Sequence, residues 1–584
     1  MTFRKSTILC CILICVLCTL SLYGSADSGR ANWELLKKWS PGKVFKKISS
    51  SLINPRWIDN SSLFWYIHSS PEQHLYWLVN PEKKSRTELF DKKKLASKLS
   101  RMSGLPVDHL KLYFPNMGVS DGGNILTFDY RQYSYRYEIG RGHLTREPKG
   151  KNNPVSYLNL SPDRRFGIYQ QGNNLYLSRM DRKKDVKPQS LADSALSMDG
   201  QLGYSWGTDG ELINNACKKK KRIDGIWSPD SKKFAILRRD VRKLPDLWLI
   251  NHLHKPNPVL KTYKTSYPGS RVSQWELWVF DIEKGQKWRV PVERWVDQTL
   301  EELFFRGQWW NDSSDSLYFI RRHRNYQQVD LCAFRLNSGK VRVMVEERMT
   351  GQVYVKPLVL LPKKMGLLWW SQQSGHGHFK LFDLNGRYVK SLTNGAYNSD
   401  RFVAYNATEN TAFIVCNGKR EGINPYYKML YRVDLESGKL TCLTPENANH
   451  RIFLSPDKHY IVDNYSRPDM PAQTVLRDSS GKRLMELNRV DMSGFMKAGW
   501  RAPEVFTCKA ADGITDMWGI MYKPFDFDPK RKYPVITRVY PGRQDEFIPW
   551  NFSPVSFDAT LAQLGFIVLR FGNRGGCFER GVKY

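Results

Sequence analysis

The sequence predicts a mainly β protein, in which an N-terminal β-propeller of about eight blades is followed by the start of a parallel α/β sheet. Three observations support this fold class. Strand–turn–strand units recur through the middle of the chain, three Ser-Pro-Asp turns each precede a strand, and a strand–helix–strand unit follows them. We expect the propeller at residues 54–499 and the second region at residues 500–584.

The repeated unit is an aromatic or β-branched strand, an acidic or Asn turn that contains Gly, and another strand. Four copies reach their turn glycine at Gly285, Gly339, Gly386 and Gly438, which are 54, 47 and 52 residues apart. One four-stranded propeller blade occupies about 40–50 residues. Because a single hairpin cannot bury its own faces, the copies must stack on one another.

The Ser-Pro-Asp turns begin at Ser161, Ser228 and Ser455. Pro fixes φ and Asp can bond its own backbone, so the tripeptide forms turns. A β-sandwich or several small all-β domains would be the alternative fold. The length of the repeated region favours the propeller, since about 450 residues hold eight or so blades.

The last region reads as the opening of an α/β-hydrolase domain. Strands are predicted at residues 535–540 and 565–571, and Ser556 can cap a helix between them whose Phe557, Leu561 and Leu564 share one face. Strand, helix, strand implies a parallel sheet. A complete domain of this kind needs roughly 250 residues, and this stretch shows no strand-to-helix turn that carries a serine. We therefore expect an incomplete hydrolase domain.

The first residues have the pattern of an export signal. Arg4 and Lys5 precede a near-continuous apolar stretch of fifteen residues, 8–22, and small residues lead up to Ala26. We predict a signal peptide at residues 1–26, an N-terminal segment at 27–53, and a periplasmic or extracellular protein. An uncleaved membrane anchor is the alternative, although a spanning helix needs about 20 residues. The six cysteines after the leader permit disulfides but do not reveal a pairing.

The formal net charge of +33 fits nucleic acid, an anionic cell surface or a solubilising shell. The densest basic run, residues 218–222, precedes a predicted strand and is typical of a solvated loop. No nucleic-acid-binding motif accompanies it, so we do not expect nucleic acid as a partner.

His376 and His378 lie in a predicted blade turn without a nearby third ligand. We therefore expect no metal site there.

Several segments together resemble the dipeptidyl peptidase IV branch of the prolyl oligopeptidase family. They are residues 227–235, 267–269, 276–281, 370–371 and 377–383 in the propeller, and 512–524, 533–536 and 573–576 after it. The resemblance implies a serine exopeptidase of short peptides that cleaves after proline or alanine. It also implies a Ser, Asp, His triad, no cofactor, and a homodimer for the full-length protein.

One residue of the family's site can be matched in this sequence, whereas the pair of glutamates that binds the peptide's ammonium group in dipeptidyl peptidase IV has no Glu-Glu counterpart here. Tyr540 stands where the family's tyrosine hydroxyl helps to hold the oxyanion, although the following residues 541–544 depart from the family's glycine-rich turn. Glu211 is the only glutamate available for the family's ammonium-binding acids between Tyr176 and Trp227.

The string Gly203-Tyr204-Ser205-Trp206-Gly207 satisfies the Gly-x-Ser-x-Gly pattern of a serine nucleophile. It lies between two Ser-Pro-Asp turns and is flanked by turn-like residues, so we interpret Ser205 as a loop serine. The predicted function is that of a dipeptidyl peptidase IV-like peptidase represented by a fragment without its Ser, Asp and His, and inactive as given. The alternative is a secreted propeller that binds a partner without catalysis.

Overall fold

The computed structural model describes residues 31–114, 116–148, 156–180, 190–207, 219–300, 309–540, 542 and 545–584. The chain forms two compact units, one of Met1–Glu147 with Phe402–Tyr584 and the other of Pro148–Arg401. Strands dominate both units, so the predicted mainly β fold class is confirmed. The predicted boundaries between domains stay a prediction.

The first unit begins with two sheets, each built from successive antiparallel hairpins. Sheet 1 consists of Arg56–Trp57 (β1), Phe64–Ser69 (β2), His74–Asn80 (β3) and Ser85–Glu88 (β4), and sheet 2 of Gly118–Ser120 (β5), Ile125–Tyr130 (β6), Tyr133–Glu138 (β7) and His143–Pro148 (β8).

The second unit contributes four more antiparallel sheets. Sheet 3 has Asn159–Leu160 (β9), Phe166–Gln171 (β10), Asn174–Met180 (β11) and Ser190–Ala195 (β12); sheet 4 has Gly225–Trp227 (β13), Lys233–Asp240 (β14), Gln274–Asp281 (β17) and Gln286–Val290 (β18). Sheet 5 has Ser316–Arg322 (β19), Gln328–Arg335 (β20) and Lys340–Arg348 (β21); sheet 6 has Val359–Leu361 (β22), Gly366–Ser371 (β23), His378–Phe382 (β24) and Tyr388–Ser391 (β25). A separate hairpin, Asp246–Asn251 (β15) with Val259–Lys264 (β16), lies between β14 and β17.

Two further antiparallel sheets and one mixed sheet follow in the chain. Sheet 7 has Asn398–Asn406 (β26), Thr411–Asn417 (β27), Lys428–Asp434 (β28) and Leu440–Cys442 (β29); sheet 8 has Asn449–Leu454 (β30), Tyr460–Arg467 (β31), Met470–Asp478 (β32) and Arg483–Arg489 (β33). Sheet 9 has Glu504–Lys509 (β34), Asp516–Tyr522 (β35), Val535–Arg538 (β36) and Ile567–Phe571 (β37). The described residues thus hold eight successive antiparallel sheets before the mixed one, while the number of propeller blades stays a prediction.

Helices are few and short in the described residues. They are Trp33–Lys38 (α1), Pro41–Val44 (α2), Lys92–Ser103 (α3), Ser493–Lys497 (α4) and Phe557–Ala562 (α5), with 3-10 turns at Phe45–Lys47 and Asp121–Gly123. None of these helices has the length and apolar character needed to cross a membrane.

Sheets 1 and 8 pack against each other inside the first unit, although about 400 residues separate them. Tyr66 of sheet 1 is buried against Val462 and Leu476 of sheet 8 and donates its hydroxyl hydrogen bond to the carbonyl of Leu487 at 3.2 Å. The Ile53 amide donates to Asn464 Oδ1 at 2.8 Å. The first and last sheets of the repeated region therefore share one core.

The Ser-Pro-Asp turns have one common geometry. The Ser161, Ser228 and Ser455 amides each donate to the carbonyl five residues later, at 2.8, 2.8 and 2.9 Å. Each serine hydroxyl also accepts a bond from the amide of that later residue. Asn311 forms the same turn with Ser316, which the sequence analysis missed because neither Ser nor Pro marks it.

Sheet 9 confirms the predicted strand–helix–strand pattern. β36 and β37 pair in parallel, with Val535 opposite Ile567, and Ser556 caps α5 by accepting from the Ala559 amide at 3.1 Å. The predicted apolar face of the helix differs in one respect. Phe557 is exposed, with the Arg538 guanidinium over its ring, while Leu561 packs against the core beside the buried Ala559 and Ala562.

The five described cysteines after the leader are all free thiols, and Cys217 lies outside the described residues. The disulfides that the sequence permits do not form among those five. Residues 1–26, on which the export prediction rests, also lie outside the described part of the chain.

Candidate functional site

Tyr540 lies two residues beyond the end of β36, at the edge of sheet 9 where the carboxyl ends of the parallel strands meet. Its ring is exposed and meets Phe547 edge-on, with 4.8 Å between the ring centroids. Arg570 on β37 holds the Phe547 carbonyl by donating from Nε at 3.1 Å and from Nη2 at 2.6 Å. The Tyr540 ring is therefore partly exposed and packs against Phe547, whose carbonyl is held by Arg570.

A buried carboxylate lies directly beside this loop. Glu546 is only 4% exposed and accepts hydrogen bonds from the hydroxyls of Tyr426 and Tyr584, both at 2.6 Å. Tyr426 belongs to the loop that joins β27 and β28 of sheet 7, whereas Glu546 and Tyr584 belong to the region of sheet 9. The Glu546 cluster, as we call these three residues, thus joins the two regions within the first unit.

Burial raises the pKa of the Glu546 carboxyl, while the hydrogen bonds from the two tyrosines act in the opposite direction. Burial likewise raises the pKa of Tyr426 far above its usual value. The carboxylate lies against the turn after β37, because a Cβ at Gly572 would stand 2.2 Å from Glu546 Cδ and one at Gly576 would stand 2.8 Å from Cγ. A Cβ at either position would therefore force the Glu546 side chain or the backbone to shift.

The raised pKa of Glu546 predicts a pH-dependent stability. A carboxyl whose pKa is higher in the folded state favours folding at low pH, and that contribution is lost as the pH rises above the ordinary glutamate pKa of about 4.3. Glu546→Gln removes this titration. We expect the melting temperature of the wild type, relative to that of Glu546→Gln, to be lower at pH 8 than at pH 5 in thermal unfolding scans.

The control for this measurement is Glu436→Gln, which removes an exposed carboxyl from the turn after β28. Its difference from the wild type should stay the same at both pH values. An equally constant difference for Glu546→Gln would contradict the prediction.

Glu446, His450 and Asp463 form the one acidic and histidine cluster of the described residues whose ligand atoms could surround a metal ion. Arg477 occupies that position. Its Nε donates to Asp463 at 2.9 Å and its Nη2 pairs with Glu446 at 2.6 Å, while His450 Nδ1 contacts Asp463 at 2.9 Å. The guanidinium already supplies the positive charge, so a cation would have to displace it.

Ser205 lies in a buried turn of the second unit. Its neighbours Tyr204 and Trp206 hold Arg238 between their rings, with the guanidinium carbon 3.4 and 4.4 Å from the two ring centroids. Arg238 donates to Asp199 Oδ2 at 2.6 Å, and Trp206 Nε1 donates to Asp199 Oδ1 at 2.9 Å. The Gly-x-Ser-x-Gly string therefore encloses an arginine, which agrees with a structural interpretation of Ser205.

The structure describes only some of the other candidate residues. Glu211 lies outside the described residues, as does most of the turn after Tyr540. His378 is buried in sheet 6, where its ring nitrogens contact Thr393 Oγ1 at 2.9 Å and the Gly395 carbonyl at 3.0 Å. His376 has its pKa lowered by burial. Sequence reasoning missed Glu546 because no motif surrounds it.

Comparison with known proteins bears directly on this arrangement. A family model described as the dipeptidyl peptidase IV (DPP IV) N-terminal region matches residues 120–472, which is more than half of the chain. The chain belongs to this family. The matched residues cover all eight antiparallel sheets except sheet 1, the start of sheet 2 and the end of sheet 8. The predicted resemblance to dipeptidyl peptidase IV is confirmed.

Individual relatives show the same family relationship. The chain is 29% identical to dipeptidyl peptidase 8 of Homo sapiens over 172 residues, which are 28% of this chain and 19% of that protein. It is 21% identical to prolyl endopeptidase FAP of Mus musculus over 90% of this chain and 69% of that protein. Dipeptidyl-aminopeptidase B of Aspergillus niger is 22% identical over 74% of this chain, which spans half of that relative.

The fold is also that of a solved bacterial enzyme. The crystal structure of Porphyromonas gingivalis dipeptidyl peptidase 4 superimposes with a TM-score of 0.64 and 19% sequence identity, covering 94% of this chain and 74% of that one. The likeness in fold therefore extends beyond the matched family region to nearly all of this chain.

Proposed function

We propose that this chain carries the propeller and the opening hydrolase strands of an exported dipeptidyl peptidase IV-like serine peptidase, which acts on short peptides in the periplasm or outside the cell. The observation that carries the proposal is the order of sheets. Eight antiparallel sheets precede sheet 9, whose parallel pair places Tyr540 at its carboxyl edge. The chain spans only part of the length of these relatives. That this protein shares their activity is therefore part of the proposal.

Tyr540 is the residue to which we assign a catalytic role. Its hydroxyl would stabilise the oxyanion that develops during acyl transfer, a role for which a fixed and exposed donor at the edge of the sheet is suited. The Phe547 contact and the two bonds from Arg570 to the loop restrict the position of the ring. Glu211 remains the proposed anchor for a substrate ammonium group.

The nucleophile is not among the residues that we assign. Ser205 lies in a buried turn whose Tyr204 and Trp206 rings contact Arg238, and it lacks the strand-to-helix context of a nucleophile elbow. We propose that residues 1–584 alone do not hydrolyse peptides, and that catalysis needs a Ser, Asp and His from further polypeptide.

A fluorophosphonate probe and a Gly-Pro-p-nitroanilide reporter test the proposal. The purified chain should show neither labelling nor turnover. A longer polypeptide, if the locus encodes an in-frame Gly-x-Ser-x-Gly segment after Tyr584, should show both. Labelling of Ser205, or turnover by protein whose mass ends at residue 584, would overturn the assignment. A locus without that segment would favour the second candidate, a secreted propeller that binds a partner without catalysis.

We also propose that the protein self-associates through the hairpin of β15 and β16. An isolated two-stranded hairpin is marginally stable in water. This one nevertheless exposes large apolar side chains along its length, including Trp248 at 66% and Leu253 at 92%. A second copy of the same hairpin, related by a two-fold axis, would cover these side chains.

Replacement of Trp248 and Leu253 by lysine should therefore produce a monomer, because two buried charges would oppose the apolar contact. Size-exclusion chromatography with light scattering gives the mass of each variant. Val296→Lys, which charges another exposed apolar residue of the second unit, is the matched control and should keep the mass of the wild type. A wild type that is already monomeric would exclude the proposal.

A further inference from the structure

The N-terminal segment folds onto the first unit and leaves a basic and aromatic surface exposed. Trp39 and Val44 are buried in a core with Met492, Trp500 and Phe525. Hydrogen bonds fix the segment at both ends of α1, because the Asn32 amide donates to the Leu564 carbonyl at 3.2 Å and Lys38 Nζ donates to the Ala498 carbonyl at 2.9 Å. The outward side chains are therefore held in place on a folded support.

The exposed side combines large apolar groups with positive charge. Trp33 is 59% exposed and Phe45 is 54% exposed. Lysines surround them in the sequence, and α4, which contacts the segment through Phe495 and Trp39, adds an exposed methionine and lysine. We call this surface the basic-aromatic patch, and its residues are Trp33, Lys37, Lys43, Phe45, Lys46, Lys47, Met496 and Lys497.

The charge of the patch is compensated only in part, by Asp526, which accepts a hydrogen bond from Asn32 at 3.2 Å, and by Asp491, which interacts with Lys497. Residues 33–47 contain five lysines and one acid, Glu34. Glu34 pairs with Lys37 at 3.1 Å, whereas Lys43, Lys46 and Lys47 have no ion pair with any residue that the structure describes. Three cations within residues 43–47, which also include the exposed Phe45, are unfavourable in water alone, since like charges repel one another and the ring leaves apolar area uncovered.

We infer that the basic-aromatic patch docks the protein on an anionic lipid bilayer. Trp and Phe are suited to the headgroup boundary, and Lys side chains reach from there to lipid phosphates. A bilayer explains both the exposed rings and the cations, whereas a soluble polyanion would account for the cations only. Docking does not require the leader, because the patch begins at Trp33.

The inference goes beyond the proposed function, because a binding module would dock in the same way as a peptidase. It places the protein at a membrane surface after export. The charge contributes about a fivefold gain in membrane affinity for each lysine near an anionic surface. Three lysines therefore predict about a hundredfold dependence of binding on the anionic lipid.

Vesicle sedimentation tests the inference with the full purified chain, whose mass records whether residues 1–26 are retained. The probes are large unilamellar vesicles of phosphatidylcholine alone and of phosphatidylcholine with phosphatidylglycerol. We expect binding to the anionic vesicles that weakens at 0.5 M salt, because screening shortens the reach of the charges. Lys43→Gln with Lys46→Gln and Lys47→Gln should lower the affinity about a hundredfold.

Matched variants separate the patch from total charge. Lys284→Gln with Lys340→Gln and Lys439→Gln removes the same charge from exposed lysines elsewhere and should bind like the wild type. Trp33→Ser with Phe45→Ser should weaken binding at least tenfold while its melting temperature stays close to that of the wild type.

Three outcomes would overturn the inference. They are the absence of wild-type binding to anionic vesicles, an equal loss in the patch and control lysine variants, and binding that does not depend on Trp33 and Phe45. The last outcome, together with equal binding to duplex DNA, would identify the patch as a general polyanion site. If residues 1–26 were retained, they would raise the vesicle binding of all variants equally. The differences in affinity between variants would then still test the inference.

Discussion

Replacement of Arg477 by methionine should lower the free energy of unfolding by about 3–5 kcal/mol, the cost of leaving a buried charge without its partner. Asp463 is completely buried in sheet 8 and receives the Arg477 Nε bond at 2.9 Å. Methionine fills most of the volume but supplies no positive charge. Denaturant titration followed by tryptophan fluorescence would measure the difference.

Two variants show whether the lost partner is the cause. Arg483→Met removes an exposed arginine that pairs with Glu486 at 2.8 Å and should cost less than about 1 kcal/mol. Arg477→Met combined with Asp463→Asn should cost less than Arg477→Met alone, because the buried negative charge is gone. If the Arg477→Met variant were as stable as the Arg483→Met variant, Arg477 would not be needed to stabilise the buried Asp463 carboxylate.

Replacement of Gly572 by alanine should cost about 2–3 kcal/mol, within the range for overpacking a filled site. The new Cβ would stand 2.2 Å from the Glu546 carboxyl carbon, so the side chain must move away from Tyr426 and Tyr584. Gly572 does not have a positive φ, so the expected cost arises from this contact. The same denaturant titration would measure it.

The contact can be isolated with a double-mutant cycle. Glu546→Ala alone leaves two tyrosine hydroxyls without their acceptor, but in that background Gly572→Ala should cost at least 1 kcal/mol less than in the wild type. Gly494→Ala in α4, where a Cβ meets nothing within 4 Å, is the matched control and should be close to neutral. Additive costs would show that the Gly572 turn does not depend on Glu546.

The sequence predicts the parts of this fold that depend on local pattern. The turn glycines and the Ser-Pro-Asp tripeptides mark recurring hairpins, because each signal lies within a few residues of the turn that it forms. The turn at Asn311 carries no such signal. Its side-chain oxygen accepts the Ser316 amide, as the serine hydroxyl does in the other turns, but no proline follows it. Periodicity alone does not predict the exposure of Phe557, because the Arg538 guanidinium that lies over its ring comes from an earlier strand.

The candidate site could be predicted only in part. Tyr540 follows a recognisable strand, so its position at the edge of sheet 9 was accessible to sequence reasoning. The Glu546 cluster was not, because Tyr426 and Glu546 are 120 residues apart and meet only through tertiary packing. A motif can also mislead. Gly203-Tyr204-Ser205-Trp206-Gly207 matches the pattern of a catalytic serine, but in the structure its Tyr204 and Trp206 rings hold Arg238.

β36 is an edge strand of sheet 9 among the described residues, and the backbone groups on its outer side pair with no other strand of that sheet. An edge strand can pair with a strand of a neighbouring chain, and natural proteins limit such pairing with flanking charges. Lys530, Arg531 and Lys532 precede the strand and Arg538 ends it. Arg538 already pairs with Asp558, so the three cations before the strand are the ones that would oppose such pairing. A variant in which these three residues are replaced by glutamine should aggregate faster than the wild type, as measured by light scattering.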